Sequence, residues 1–168
     1  VTYVNRDAYS AGAFIAVATQ QIYMAPQGVI GAAAPILMTP GGGGIEQMPA
    51  TVEAKMTSAV AARVRASAEK NGHNPQVVEA MINRNTRLEL DGHVLNEEGQ
   101  ILTLTDIEAA RNYGDPPKPL LSRGTVLNLE ALVEELGYGA ARVVRVEPTG
   151  AERLASWLNM LSPALLLI

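Results

Sequence analysis

Residues 1 to 36 read VTYVNRDAYSAGAFIAVATQQIYMAPQGVIGAAAPI, and the rest of the chain is organised around them. Val1 to Val4 is an apolar, β-branched run of the length of a buried strand. Tyr9-Ser10-Ala11-Gly12 turns the chain, and Ala13 to Thr19 reads as a buried helix. Ile22-Tyr23-Met24-Ala25 is a second short strand, stopped by Pro26-Gln27-Gly28. Ser10 therefore stands at a strand-to-helix turn, where the first helical N–H groups lack partners and point at whatever lies there. A developing oxyanion could be stabilised at such a place. Arg6 and Asp7 are the only charges between Val1 and Gly44, so the segment is expected to be buried apart from this turn.

Downstream, Pro40-Gly41-Gly42-Gly43-Gly44 reads as a flexible loop without the Gly-Lys-Ser/Thr of a phosphate loop. Pro49 to Asn71 is a long helix, with Thr51 as its expected N-cap and Gly72 and Pro75 ending it. Val52, Met56, Val60 and Val64 form its apolar stripe. A second helix is expected over Pro75 to Asn83. Arg87 to Leu104 reads as a hairpin region with turn signals at Asp91-Gly92 and Glu97-Glu98-Gly99. Thr105 and Glu108 form a capping box for a helix running to about Tyr113. Asp115 to Pro119 reads as a stiff connector, Gly124 to Leu127 as a strand, and Leu129 to Leu136 as an amphipathic helix. Ala141 to Val146 is read as a last strand, and a terminal helix begins at Ala151. Strands and helices alternating over short links argue for a layered α/β fold.

One domain is the default for 168 residues. A net charge of −4 without a basic run gives no reason to expect nucleic acid. The absence of cysteine excludes disulfides and thiolate chemistry. Val1 begins inside a strand, so no signal segment is read, and at least one further strand–helix unit is expected upstream. At the other end, Trp157 to Ile168 is a short apolar run. A spanning helix needs about 20 apolar residues. The run reads as the start of a membrane segment or as a tail packed on the core.

A serine nucleophile needs a base. His73 sits in a helix-ending turn and His93 just after a hairpin turn, and both read as surface residues, which disfavours a Ser-His-Asp triad. Lys70 and Lys118 read as solvated. Lys55 lies in the first turns of the long helix, beside the apolar stripe. A helix N-terminus and partial burial both disfavour a cation there, and so favour the neutral amine that a general base requires. Asp91, Glu97 and Glu98 read as solvated turn residues, Asp106 and Glu108 as capping residues. No metal-ligand spacing and no cofactor motif occurs.

Ala8-Tyr9-Ser10-Ala11-Gly12-Ala13, Ile22-Tyr23-Met24-Ala25-Pro26 and Ile30-Gly31-Ala32-Ala33-Ala34-Pro35, in that order, resemble the core of the NfeD family of membrane-bound, ClpP-class serine proteases. The resemblance is dense over residues 1 to about 75. It implies a ClpP/crotonase-like layered α/β fold of repeated strand–helix units, with a protease domain over 1–150 whose start is missing. Residues 151–168 would then be a terminal helix leading towards the membrane. It also implies a Ser-Lys dyad: Ser10 as nucleophile, and Lys55 as base in the Lys55-Met56-Thr57 match to the family's lysine element. Ala11 would supply one oxyanion N–H, with Gly12 allowing close packing or approach of the substrate backbone. The family's upstream oxyanion glycines would lie before Val1. The implied substrate is an apolar polypeptide, the partner a stomatin-like membrane protein, the assembly a homodimer or larger homo-oligomer, and the location membrane-associated with the protease domain extracytoplasmic. The alternatives are a catalytically silent scaffold of this fold binding the same partner, and an acyl-CoA enzyme of the crotonase group.

Overall fold

A computed structural model of the chain describes residues 1–38, 45–46, 49–142, 144, 146, 149–154 and 156–157. It opens with β1 (Thr2–Val4) and β2 (Asp7–Tyr9), continues through Ser10 into α1 (Ala11–Val17), and returns as β3 (Ile22–Met24) and β4 (Val29–Gly31). β1 runs parallel to β3 with Tyr3 opposite Tyr23, and β2 runs parallel to β4 with Ala8 opposite Ile30. Parallel strands require a crossover, and α1 supplies it. The helix begins at Ala11, two residues before the expected start at Ala13, and β2 occupies the residues just before the expected turn, sharing Tyr9 with it.

β5 (Leu37–Met38) and β6 (Ile45–Glu46) pair antiparallel. The glycine run between them lies outside the described residues. α2 (Ala50–Asn71) follows Pro49, which takes the N-cap position without a side-chain hydrogen bond; Thr51, the expected cap, is inside the first turn. At its other end Gly72, at φ 81°, turns the chain left-handed, and its N–H and that of His73 close on Glu69 and Ala68.

The apolar stripe of α2 is only half right. Val64 is buried and Val60 packs against the core, but Val52 and Met56 are 44% and 38% exposed. At 3.6 residues per turn, each four-residue step drifts about 40° around the axis, so a strict four-residue repeat spirals off the buried face. Ala61, Val64 and Ala68 hold that face instead.

α3 (Pro75–Ala80) is capped by Asn74, whose side chain accepts from the Gln76 N–H, and it ends earlier than expected. β7 (Leu88–Leu90) and β8 (His93–Asn96) form the hairpin signalled by Asp91-Gly92, both residues at positive φ. The second expected turn does not fold back onto β8. β9 (Thr103–Thr105) pairs antiparallel with β4 instead, burying Leu102 and Leu104 in the main core. α4 (Asp106–Ala110) carries the full Thr105–Glu108 capping box. It stops short of Tyr113 because β10 (Asn112–Tyr113) pairs antiparallel with β11 (Lys118–Pro119). The expected stiff connector is thus largely the turn of a hairpin.

β12 (Gly124–Thr125) completes a three-stranded sheet in the order β1-β3-β12, beside a second in the order β2-β4-β9. α5 (Leu129–Glu135) is capped by Asn128. Ala141, Arg142, Val144 and Val146 are exposed and belong to no strand, which corrects the expected last strand at these positions; Val143 and Arg145 lie outside the described residues. Thr149 caps the helical residues that follow, and its N–H and hydroxyl hold the Glu152 carboxyl below the usual carboxylate range. Among the described residues no helix is long and apolar enough to cross a membrane; residues 158–168, where that expectation falls, lie outside them.

Candidate active site

Ser10 joins β2 to α1 with φ 51° and ψ −119°, a conformation that L-residues rarely adopt. Its N–H donates to the Gly31 carbonyl at 3.1 Å, and its own carbonyl accepts from Ala13 and Phe14 at 3.1 and 3.4 Å. The partner segment is equally unusual. Gly31 has φ 133°, and a Cβ there would sit 2.5 Å from the Leu102 carbonyl oxygen, so no other residue fits without backbone movement. Ala32 follows at φ 44°, donating to Leu102, and Ala33 donates to Met81 at 2.7 Å. Leu102 in turn donates to Ala80. A continuous run of backbone hydrogen bonds thus ties the Ser10 turn to the end of α3.

The Ser10 side chain is exposed and makes no hydrogen bond among the described residues. The Ala11 and Gly12 N–H groups, at the start of α1, likewise have no acceptor there. A Cβ added at Gly12 would meet only the Ala8 Cβ at 3.6 Å, ordinary contact. Close helix packing therefore does not demand a glycine at this position.

Lys55 lies in the second turn of α2. It is exposed and makes no hydrogen bond or ion pair among the described residues, to Ser10 or to any other group. The expected partial burial is absent because its neighbours on the stripe, Val52 and Met56, are themselves exposed. Lys55 precedes the buried Ala61 by about 9 Å along the helix axis. A groove of about 400 Å³ lies between Ala34 and Pro35, just past the Gly31 segment, and Glu53, Ala54 and Thr57 of α2, but neither Ser10 nor Lys55 lines it. Arg84 and Glu53 pair across its edge at 2.9 Å.

Neither histidine joins Ser10. The Nε2 of His73 lies 2.6 Å from the Thr19 carbonyl, which can only accept, so the ring donates there. His93 is exposed on β8. Glu108 caps α4 as expected, but the Asp106 side chain does not cap it. It is buried and accepts from the Gln27 N–H and the Thr125 hydroxyl, joining α4 to the β3–β4 turn and the end of β12. Among the described residues no group of His, Asp and Glu could hold a metal ion. The sequence reading gave Gly31 and Ala32 no role at the site. The available signal was a glycine followed by three alanines before Pro35, too bland to announce a strained turn.

A family model described as NfeD1b, N-terminal domain, matches residues 1–146. The chain belongs to this family. The NfeD1b membrane protein of Bacillus subtilis (strain 168) is 34% identical over 169 residues, which cover 99% of this chain and 34% of that protein. The chain thus spans about a third of the length of its NfeD1b relative. Two solved structures are similar, both mutants of the 1510-N membrane-bound stomatin-specific protease. The serine-to-alanine mutant is 26% identical with a TM-score of 0.55, over 79% of this chain and 53% of that one. The lysine-to-alanine mutant, in complex with a substrate peptide, is 23% identical with a TM-score of 0.61, over 95% and 69%. The solved neighbours are protease domains, and the chain has their ClpP-like α/β fold.

Proposed function

We propose that this domain is a serine endopeptidase that cleaves apolar segments of membrane-associated proteins. Ser10 Oγ attacks the peptide carbonyl while the neutral Lys55 amine takes its proton. The carbonyl oxygen, now an oxyanion, accepts from the Ala11 N–H. The tetrahedral intermediate collapses by breaking the C–N bond, and the Lys55 ammonium protonates the departing amine. Water, deprotonated by Lys55, then hydrolyses the acyl-enzyme and restores Ser10. Gly12 leaves room for the substrate backbone beside the nucleophile. The reading extends to a stomatin-like membrane partner, to a homodimer or larger homo-oligomer, and to an extracytoplasmic protease domain over 1–150 attached to the membrane through the segment following Ala151.

The observation that carries this reading is Ser10 itself. It is a nucleophilic side chain on a strained strand-to-helix turn, exposed and unpartnered, with unpaired N–H groups at Ala11 and Gly12. Two neighbours in fold were solved as serine and lysine mutants of a protease, and these are the residue types of Ser10 and Lys55. The base must come within about 3 Å of Ser10 Oγ, so the reading requires the first half of α2 to approach Ser10 when substrate binds.

The exposure of Lys55 favours a second reading, a catalytically silent scaffold of this fold that binds a stomatin-like membrane partner. One experiment separates the two. In the intact protein, Ser10→Ala and Lys55→Ala are each expected to lower cleavage of an apolar peptide by about 10³-fold or more with an unchanged circular dichroism spectrum. Turnover that survives either substitution refutes the dyad, and a wild-type protein that binds its partner without cleaving any peptide establishes the scaffold.

A further inference from the structure

A second cleft opens at the far end of α1 from Ser10. It encloses about 580 Å³, within the usual range of small-molecule sites. Gln20 and the segment from Gly72 to Asn74 bound it on one side, the β7–β8 turn and the β10–β11 hairpin on the other. α1 spans about 10 Å, and Ser10 lies at its start while Gln20 lies beyond its end. None of Ser10, Ala11, Gly12 and Lys55 lines the cleft.

One stretch, Lys118-Pro119-Leu120-Leu121-Ser122-Arg123, supplies much of the wall. Half-buried Leu90, Tyr113 and Pro119 give it an apolar face, with Leu120 and Leu121 buried in the core beneath. Lys118 and Arg123 stand at either end of the stretch, both exposed and both without an ion pair or side-chain hydrogen bond among the described residues. The one carboxylate in the lining, Asp91, accepts from the Gly114 N–H at 2.6 Å and sets one negative charge against the two cations. Helix C-termini carry partial negative charge, but here the carbonyls are taken up locally: Ala68 and Glu69 accept from His73 and Gly72, and Thr19 accepts from the His73 ring. In a chain of net charge −4, this leaves the cleft with one positive charge in excess beside an apolar surface.

From this arrangement we infer that the cleft binds a phosphate ester carrying an apolar chain. Arg123 and Lys118 hold the phosphate through charge-assisted hydrogen bonds, and the chain lies on Leu90, Tyr113 and Pro119. A soluble alkyl phosphate and a phospholipid headgroup present the same chemistry. The inference stands apart from the role of Ser10 and succeeds or fails independently of it.

Calorimetric titration of the intact protein with hexyl phosphate is expected to saturate at one site, with an affinity above that of inorganic phosphate. The double substitution Lys118→Gln, Arg123→Gln should weaken it by at least about 10-fold, whereas Asp91→Asn should tighten it. The control pair Arg6→Gln, Arg63→Gln, which removes two exposed cations elsewhere, should leave it unchanged. Sedimentation with phosphatidylglycerol vesicles, and not with phosphatidylcholine vesicles, that disappears in the Lys118/Arg123 variant would assign the ligand to a lipid. Binding of hexyl phosphate without vesicle binding would assign it to a soluble ester. No binding of any probe, or an equal loss in the control pair, overturns the inference.

Discussion

The turn at Ser10 and the first half of α2 carry the two members of the candidate dyad, and the molecule holds them very differently. Ser10 is fixed by β2 before it, by α1 after it, and by the Gly31 carbonyl from the neighbouring strand. Its strained φ persists because Gly31, Ala32 and Leu102 over-determine it through backbone hydrogen bonds. Lys55 has no such support: the residues around it on α2 face solvent, and burial starts only near Ala61. In the proposed mechanism, preorganisation therefore resides in Ser10 and the N–H groups of Ala11 and Gly12, and the lysine has to be brought to them from the α2 side.

The sharpest way to break this contrast is Gly31→Ala. The substitution places a Cβ 2.5 Å from the Leu102 carbonyl oxygen at φ 133°, where an L-residue is strained before any contact is counted. Backbone strain and overpacking each cost about 1–3 kcal/mol, so urea denaturation should show a loss of about 3 kcal/mol or more, with peptide cleavage lost as well. A variant of wild-type stability would mean that the Gly31–Ser10 bond does not lock the turn.

A smaller effect of opposite sign is expected at Ser10 itself. Glycine adopts φ 51°, ψ −119° without the penalty serine bears. Ser10→Ala keeps that penalty and should be nearly neutral for stability. Ser10→Gly should exceed it by about 1 kcal/mol after the greater chain entropy of glycine in the unfolded state is counted. Neither variant should cleave peptide. Equal stability of the two would show that the turn is not strained, and would remove the argument that the fold holds a serine there against local preference.

Much of this frame was legible in the sequence, for reasons that can be located. β1 and β3 announced themselves as continuous apolar runs between breakers, the α4 capping box as Thr105 and Glu108, and the β7–β8 turn as Asp91-Gly92. β2 escaped because Asp7-Ala8-Tyr9 buries only its central residue and presents a charge first. The destination of β9 escaped because Thr103-Leu104-Thr105 alternates equally well on either neighbour. Only the three-dimensional core decides that Leu104 belongs against β4 rather than β8. At the site, the turn chemistry around Ser10 could be read from residue types. The exposure of Lys55 could not, because it depends on which face of α2 the core takes, and a four-residue repeat leaves that face ambiguous.

The smallest expected effect tests that face directly. Val52→Ala replaces an exposed β-branched residue in a helix by the best helix former, and Met56→Ala exchanges two good ones. Val52→Ala should therefore raise stability by about 0.5 kcal/mol, and Met56→Ala should change it by less than that. These outcomes would fix the first half of α2 as a solvated helix whose side chains, Lys55 included, are free to rearrange around a substrate. A loss above about 1 kcal/mol in either variant would instead mean that Val52 and Met56 are packed in solution. The contrast with Ser10 would then shrink, because the lysine would be held as firmly as the serine.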